Sequence, residues 1–524
     1  MKNLYHLFSI GFACFLLSFA TIASGQVLNA DTLYYYHTPQ QDAGYDIHLQ
    51  DDGSFMIFNN SSRFFVGTSH GYDFLSFMNV SADGKTMLSQ KALEDTLSPR
   101  LLNIVESGRV KRLTGSDAHG YLVPLTIGIY DTSRGIGLNV AAAGLLLLDY
   151  KGDTVFMKNY FQRDSAYNDL GLDCDSLPSG GFIIAGNRTD TNNENKHYGL
   201  IVKTDSRGNL LWSKKYETFI GDNNNLTSIQ YVGNGKILAG GSYSIDIGTI
   251  NELIPWFLLV DTMGNIIKSQ SAIRTYAAKR AGGGNIFRDI KGGYYHFGTI
   301  DSAQDYVNSR NPLNNIPYIA HINDSLQQDW IAEVLDTAVW CYPNGAKQLK
   351  NGDYIIYGQA FSFSKKIDGG WICKINSRGN VLWSHYYQKY MWGNITSGTE
   401  SKNGSLAFIG FALDSVSSKE EVWFLGVDSN GIGNGMYLLA SNVIRPEDII
   451  NLYPNPASNM VNVDASADGY LKLFSISGEL IFTSSIKKGK NHINLYSIAD
   501  GTYFAKIMDN QQKVLKTIQF VYRK

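Results

Sequence analysis

Short apolar runs alternate with polar, glycine-bearing turns over most of this chain. One element starts after a glycine turn and closes on glycine: Gly180 to Gly186, Gly235 to Gly240, Gly293 to Gly298, Gly352 to Gly358 and Gly404 to Gly410. A second apolar run follows a variable polar stretch, ends in Asp or Asn and leads into another glycine turn. Its instances are Leu200 to Asp205 before Gly208, Trp256 to Asp261 before Gly264, Trp371 to Asn376 before Gly379 and Trp423 to Asp428 before Gly431. Leu145 to Asp149 before Gly152 fits the same frame, and Phe74 to Asn79 before Gly84 fits it loosely. In a degenerate copy, Tyr318 to Asn323, Leu326 stands where the glycine belongs.

These runs are four to seven residues long, rich in Ile, Val, Tyr, Phe and Trp, and broken by Gly-Asn, Asn-Gly and Asp-Gly, which is strand and hairpin chemistry. The turn glycines recur at roughly 50 to 60 residues, a period that marks propeller blades. Four strands per unit make a small twisted sheet, and closing the units into a ring protects their edges. The expectation is therefore an all-β propeller of about seven blades spanning residues 26–440. Asp31 to Tyr36 reads like the strand that follows each turn glycine, as in Leu210 to Ser213, and is placed to complete the last blade.

From about residue 444 the repeat stops. Alternating strands at Val461 to Val463, Leu471 to Ile476, Leu480 to Phe482 and Thr502 to Ile507, with a turn at Ser477-Gly478, predict a small C-terminal β-sandwich over residues 444–524.

Composition narrows the class. With 44% hydrophobic and 13% aromatic residues the chain can bury a large core and is not disordered. A formal charge of -2, from 45 basic and 47 acidic residues, lacks the basic excess that nucleic-acid binding calls for. Lys2, the apolar Leu7 to Ala20 and the small Ala23-Ser24-Gly25 read as a signal peptide over residues 1–25, cleaved before Gln26, which leaves no transmembrane segment. Cys174, Cys341 and Cys373 are too few for a disulfide framework and too far apart for a zinc knuckle, so each is expected to pack as a small apolar residue, one disulfide among them being the alternative.

Two resemblances add to this reading. Asp205 to Trp212 and Asn376 to Trp383 resemble the docking turns of quinoprotein-like propellers, in which a Trp packs between blades. That likeness supports the fold and, with no cofactor-site pattern present, implies no cofactor. The tail closely resembles the type A sorting domain of the Bacteroidetes type IX secretion system. The matching pieces are Tyr453, Pro454, Asn455, Pro456 and Ala457, the strand and turn Leu473 to Ile481 with Gly478, the stretch Leu495 to Ile498 leading to Gly501, Thr502 and Tyr503, and the basic strand around Lys513 to Lys516. The resemblance implies the type IX translocon and sorting machinery as partners, and a product that is secreted or attached to the outer cell surface.

No catalytic signature survives inspection. Gly67 to Gly71 satisfies Gly-x-Ser-x-Gly around Ser69, but the following Tyr72 to Val80 reads as a strand and a nucleophile elbow needs a helix. His48, His119, His197, His296, His321 and His385 are scattered singly, Asp169 to Asp175 lacks ligand spacing, and Asp428 to Gly431 reads as a blade turn. No metal site is expected. Trp256, Tyr318, Trp371 and Trp423 each lie five residues before the end of their run. They are candidates for stacking on sugar at one mouth of the ring, although aromatics at a repeated position more often pack blade against blade, and that reading is favoured. The reading favours binding of a glycan, peptide or protein ligand through the propeller face over a secreted propeller enzyme such as a polysaccharide lyase or glycosidase, which would need ionisable side chains converging on the axis.

Overall fold

The computed structural model describes residues 28–34, 42–64, 71–93, 103–113, 120–130, 139–160, 167–190, 193–218, 223–246, 251–271, 279–302, 316–334, 339–390, 392–413, 419–433, 436–437, 451–453, 457–465, 468–475, 477–496, 498–510 and 514–523. The leader, Ser69, His119, Pro454, Asn455, Pro456 and Lys513 lie outside them.

Among the described residues every element is a strand, and the strands before residue 428 form seven antiparallel blades of four-stranded type. The inner strands, in blade order, are Asp42–Leu49, the broken pair Asn103–Ser107 and Lys111–Leu113, Tyr167–Ser176, Asn223–Gly233, Lys279–Arg288, Trp340–Gln348 and Trp392–Glu400. Each of these pairs with the second strand of its own blade, and consecutive blades touch all the way round, including blade 7 against blade 1. Blades 3 and 4 also share one parallel bridge, His197 to Asn223. The fourth strand of blade 7 is Ala30–Tyr34, from the other end of the chain, paired antiparallel with Glu420–Val427. The N-terminal strand thus closes the ring in the place its sequence suggested.

Packing explains why the second and third strands read as unbroken apolar runs. Each blade is covered on both faces by its neighbours, so successive residues such as Ile237, Leu238 and Ala239, or Phe408 and Ile409, are all fully buried.

The recurring turn is where one blade docks on the next. In Asp205 to Asn209 the Asp205 carboxylate accepts the backbone N–H groups of Arg207 and Asn209 at 2.8 Å, and Gly208 adopts φ +75°. A Cβ at Gly208 would stand 2.6 Å from the Phe156 ring of the preceding blade, so the glycine provides both the left-handed backbone and the seat for the ring. The same seat recurs at Gly84 under Phe424, Gly152 under Phe77, Gly379 under Trp330 and Gly431 under Trp383. Tyrosines complete the joint: Tyr34, Tyr160, Tyr216 and Tyr387 donate their hydroxyls to the carbonyls of Gly84, Gly208, Gly264 and Gly431. In the degenerate copy Leu326 itself takes φ +61° and buries its side chain among Leu238, Phe257 and Tyr318, so packing replaces the missing glycine.

The tail forms two further sheets. One contains Asn451–Tyr453, Met460–Ala465 and Gly489–Asn494; the other orders Leu480–Ile486, Gly469–Phe474, Gly501–Asp509 and Val514–Tyr522. They enclose a core of their own that includes Val461, Val463, Leu471, Leu473, Ile507 and Phe520, with no residue of the blades in it. Tyr453 ends the first strand, Gly478 turns with φ +86°, Gly501 opens a strand, and Tyr503 donates its hydroxyl to the Ala499 carbonyl at 2.7 Å.

Candidate functional site

A polar cavity on the propeller axis

The inner strands meet around a cavity of about 500 Å³ to which all seven blades contribute. Its position follows from a repeated irregularity. Register shifts between Gly44 and Asp46, Gly171 and Asp173, Leu226 and Ser228, Gly282 and Asn285, Pro343 and Gly345, and Ile395 and Ser397 place a bulge at the same level of six inner strands. A bulge re-aims the side chains beside it. In blades 3, 4, 6 and 7 a glycine of the second strand lies directly opposite, because the bulged carbonyl leaves no room for a side chain, whereas in blade 1 Asn59 stands there. A Cβ at Gly186, Gly358 or Gly410 would lie 1.7 to 1.9 Å from the oxygen of Leu170, Tyr342 or Asn394. In blade 2 the register shift falls between Ile104 and Glu106 and the inner strand then breaks, with Gly108, Arg109 and Val110 crossing the gap and the Arg109 N–H donating to the Leu172 carbonyl at 2.9 Å.

The re-aimed side chains first clasp the neighbouring blade. Ser397 donates to Asp46 Oδ1 at 2.7 Å, and Asp46 Oδ2 accepts the Val110 N–H at 2.7 Å, so this carboxylate ties blades 7, 1 and 2. Asp173 Oδ2 accepts the Ile229 N–H at 2.8 Å and stands 3.4 Å from Arg109 Nη1, tying blades 2, 3 and 4. Asp175 accepts the Tyr231 N–H at 2.9 Å and pairs with Lys111 at 3.0 Å. Ser228 accepts the Ile286 N–H, Gln348 accepts the Ile290 N–H, and Asn344 donates to the Ile395 carbonyl. The belt crosses every blade interface.

Electrostatics differ sharply between the two central acids. Burial pushes Asp46 up, but the His48 ring at 3.5 Å, the Ser397 hydroxyl and the Lys347 ammonium outweigh it and hold the carboxyl at about 2. Burial dominates at Asp173 and raises it to about 6 against Arg109 and the Ile229 N–H. Burial also pulls the Lys347 amine below the usual lysine range, opposed by Asp46 and Glu400 and reinforced by Arg109 and Lys111. Lys347 lines the cavity with no hydrogen-bond or ion-pair partner among the described residues. The Arg109 guanidinium lies 4.3 Å over the Phe287 ring, and Tyr45, Tyr295 and Tyr357 supply the remaining aromatic wall.

The four aromatic candidates are elsewhere. Trp256, Tyr318, Trp371 and Trp423 are at most 2% exposed and line no part of the axial cavity. Their polar atoms are engaged inside the ring: the three indole N–H groups donate to Ser269, Ser384 and Asp31, and the Tyr318 hydroxyl meets His296 Nδ1 at 3.0 Å. Trp256 packs on Gly199 and Trp423 on Gly370, each a glycine of the preceding blade. Stacking on a ligand is thus corrected to packing between blades, since a third strand buried on both faces presents no ring to solvent.

The other motifs disperse too. Cys174, Cys341 and Cys373 are buried thiols that form no disulfide with one another. His197 meets Thr189, His321 meets Asp329 and the Gly292 carbonyl, and His385 meets the Asn430 carbonyl, each in a different blade. Among the described residues no group of three or more His, Cys, Asp or Glu side chains is arranged to hold a metal. Asp46, Arg109 and Lys347 carry no motif. Counting back along the hairpin from the strand-closing Gly358 leads to the bulge two residues before Lys347, but no such glycine faces Asp46, which lies opposite Asn59 and Phe58, or Arg109, which lies where the inner strand breaks.

Relatives of the two parts

Residues 451–520 match the family described as the secretion system C-terminal sorting domain. The tail is a sorting domain. Its presence implies export to the cell surface or secretion, and contact with the secretion machinery. No curated protein matches the chain. Among solved structures, a protein of unknown function from Dyadobacter fermentans is similar at 11% identity and TM-score 0.42, over 76% of this chain and 97% of that one. The β-propeller domain of the trilobed protease from Pyrococcus furiosus is similar at 9% identity and TM-score 0.40, over 74% and 96%. An α-L-arabinanase of Penicillium chrysogenum shows 10% identity and TM-score 0.37, over 78% and 98%. At these identities the likeness concerns the fold alone.

Proposed function

We propose that this protein is an extracellular binding propeller, carried out of the cell by a type IX sorting tail, that holds a glycan or another polar ligand in its axial cavity. On this reading residues 1–25 are a cleaved leader, 26–440 form the cargo and 444–524 are the ticket through the outer membrane of a Bacteroidetes-type cell. The observation that carries the proposal is the cavity itself. Seven inner strands converge on it, its size falls within the usual range for small-ligand sites, and its wall mixes Tyr45, Phe287, Tyr295 and Tyr357 with the polar Asn285, Asn344 and Thr396. Apolar ring faces beside amide and hydroxyl groups are what a sugar residue needs, since it presents both C–H faces and hydroxyls.

A specific observation also favours the enzymatic alternative. Ionisable groups do converge on the axis, and burial raises Asp173 to about 6 while Asp46 is held at about 2, a separation of the kind an acid–base pair uses. Binding is preferred because both carboxylates are committed to clasping backbone N–H groups of adjacent blades and are not free to exchange protons with a substrate.

One experiment separates the two. The mature chain from Gln26 is applied to a glycan array, and each bound glycan is then followed for cleavage. Binding without product is the expected result. Release of shortened or unsaturated product would establish the enzyme instead.

A further inference from the structure

Within that reading, we infer that the axial cavity recognises a carboxylate on its ligand, so that the ligand class is an acidic glycan of the uronic acid kind. The inference rests on which charges around the axis are already satisfied.

The three acids are fully engaged. Asp46 accepts the N–H groups of Ile47 and Val110 and the Ser397 hydroxyl; Asp173 has the Ile229 N–H and Arg109; Asp175 has the N–H groups of Ser176 and Tyr231 and the Lys111 ammonium. Among the cations Lys111 is paired with Asp175, but Lys347 and Arg109 are not fully engaged. Lys347 enters the same space with no partner for its three N–H donors among the described residues. Arg109 gives one nitrogen to Asp173 across 3.4 Å, and the rest of its planar fork finds no acceptor among the described residues. The Lys347 ammonium feels the Asp46 carboxylate but does not bond to it, and Asp46 is already committed to three other donors; a cation in a low-dielectric wall whose donors stay unfilled is costly, and an anionic ligand removes that cost on arrival. A flat guanidinium supported on the Phe287 ring beside a point-charge ammonium suits a carboxylate, which accepts two parallel N–H bonds from the one and a third from the other. The neighbouring tyrosine rings would then lie against the pyranose to which that carboxylate belongs.

The test is calorimetric titration of the mature protein with oligoglucuronate and oligogalacturonate, with the matched neutral glucose and galactose oligomers, and with acetate and sulfate alone. The wild type should bind one of the acidic oligomers at least tenfold more tightly than its neutral counterpart or either free anion. Lys347→Met, which keeps the unbranched stem and removes the ammonium, should weaken that binding about ten- to hundredfold, the size of a lost charge-assisted hydrogen bond, while Lys347→Arg retains most of it. Circular dichroism and melting of both variants establish that they are folded. Neutral glycans binding as tightly as acidic ones, with Lys347→Met silent, would overturn the carboxylate inference and leave the binding propeller intact. Free sulfate or acetate binding as tightly as the oligomers would overturn the sugar assignment. Failure of both glycan classes to bind would remove the glycan reading together with this inference.

Discussion

The rim and the axis of the propeller use the same seven-fold framework in opposite ways. At the rim one device is repeated: a glycine turn seats an aromatic ring of the preceding blade, and in four blades a tyrosine hydroxyl closes the joint. At the axis the backbone device repeats as a bulge, but the side chain it re-aims is Asp46, Asp173, Ser228, Asn285 or Ser397 according to blade. Repetition holds the ring together, and variation on a repeated backbone is what gives the centre its chemistry. Docking geometry tolerates one solution per blade, whereas a ligand is asymmetric and needs a different group from each direction.

The largest test of this contrast is at the rim. Trp423→Ala removes a ring lodged between blades 6 and 7 and takes the indole N–H from the buried Asp31 carboxylate, which keeps Lys389 at 3.8 Å, so chemical denaturation should report a loss of about 3–5 kcal/mol. A loss below about 1 kcal/mol would mean that the seam between the two chain ends is not needed for the stability of the ring.

The next is at the axis, and it depends on pH. The folded-state value of Asp173 is raised to about 6 from an ordinary 3.8, so between those values the folded form binds more protons than the unfolded one. Its stabilising contribution is therefore present below about 3.8 and is lost as pH rises through about 6. Asp173→Asn keeps an oxygen for the Ile229 N–H and cannot titrate. Across that window the stability of the wild type relative to the variant should fall by up to about 3 kcal/mol. Parallel curves would show that Asp173 stays ionised throughout.

The smallest effect sharpens the rim itself. Leu326→Gly relieves a left-handed leucine, a gain of about 1–2 kcal/mol, but empties a buried site whose loss costs about 2–4 kcal/mol, so a net destabilisation of about 1–2 kcal/mol is expected in thermal melts. A more stable variant would mean that every turn in the ring prefers glycine and that the packing of Leu326 is incidental.

The same contrast decided what could be read from the sequence. The strands, the blade count, the sandwich and the closing role of Asp31 to Tyr34 were legible because a repeat states its rule several times over. Even Leu326 could be recognised as a departure, though not the packing that compensates for it. Trp256, Tyr318, Trp371 and Trp423 were legible as equivalent positions, and equivalence itself pointed to packing. Asp46, Arg109, Asp173 and Lys347 were not legible as a group, because each is the only one of its kind at its position and lies far from the others along the chain. The bulges and the strand break that bring them together are backbone geometry, marked by a glycine on the partner strand near Asp173 and Lys347 and by none near Asp46.

The pairing that seals blade 7 joins Asp31 to Trp423 across 392 residues. Such a contact has the highest entropic cost of any in the ring and is expected to form late, after the local hairpins. Until it forms, the strand Glu420–Val427 is an open edge, a template for whichever matching strand arrives first. At high protein concentration that strand can come from a second molecule, and reciprocal exchange of N-terminal strands would yield interlocked pairs of propellers, each with an intact centre.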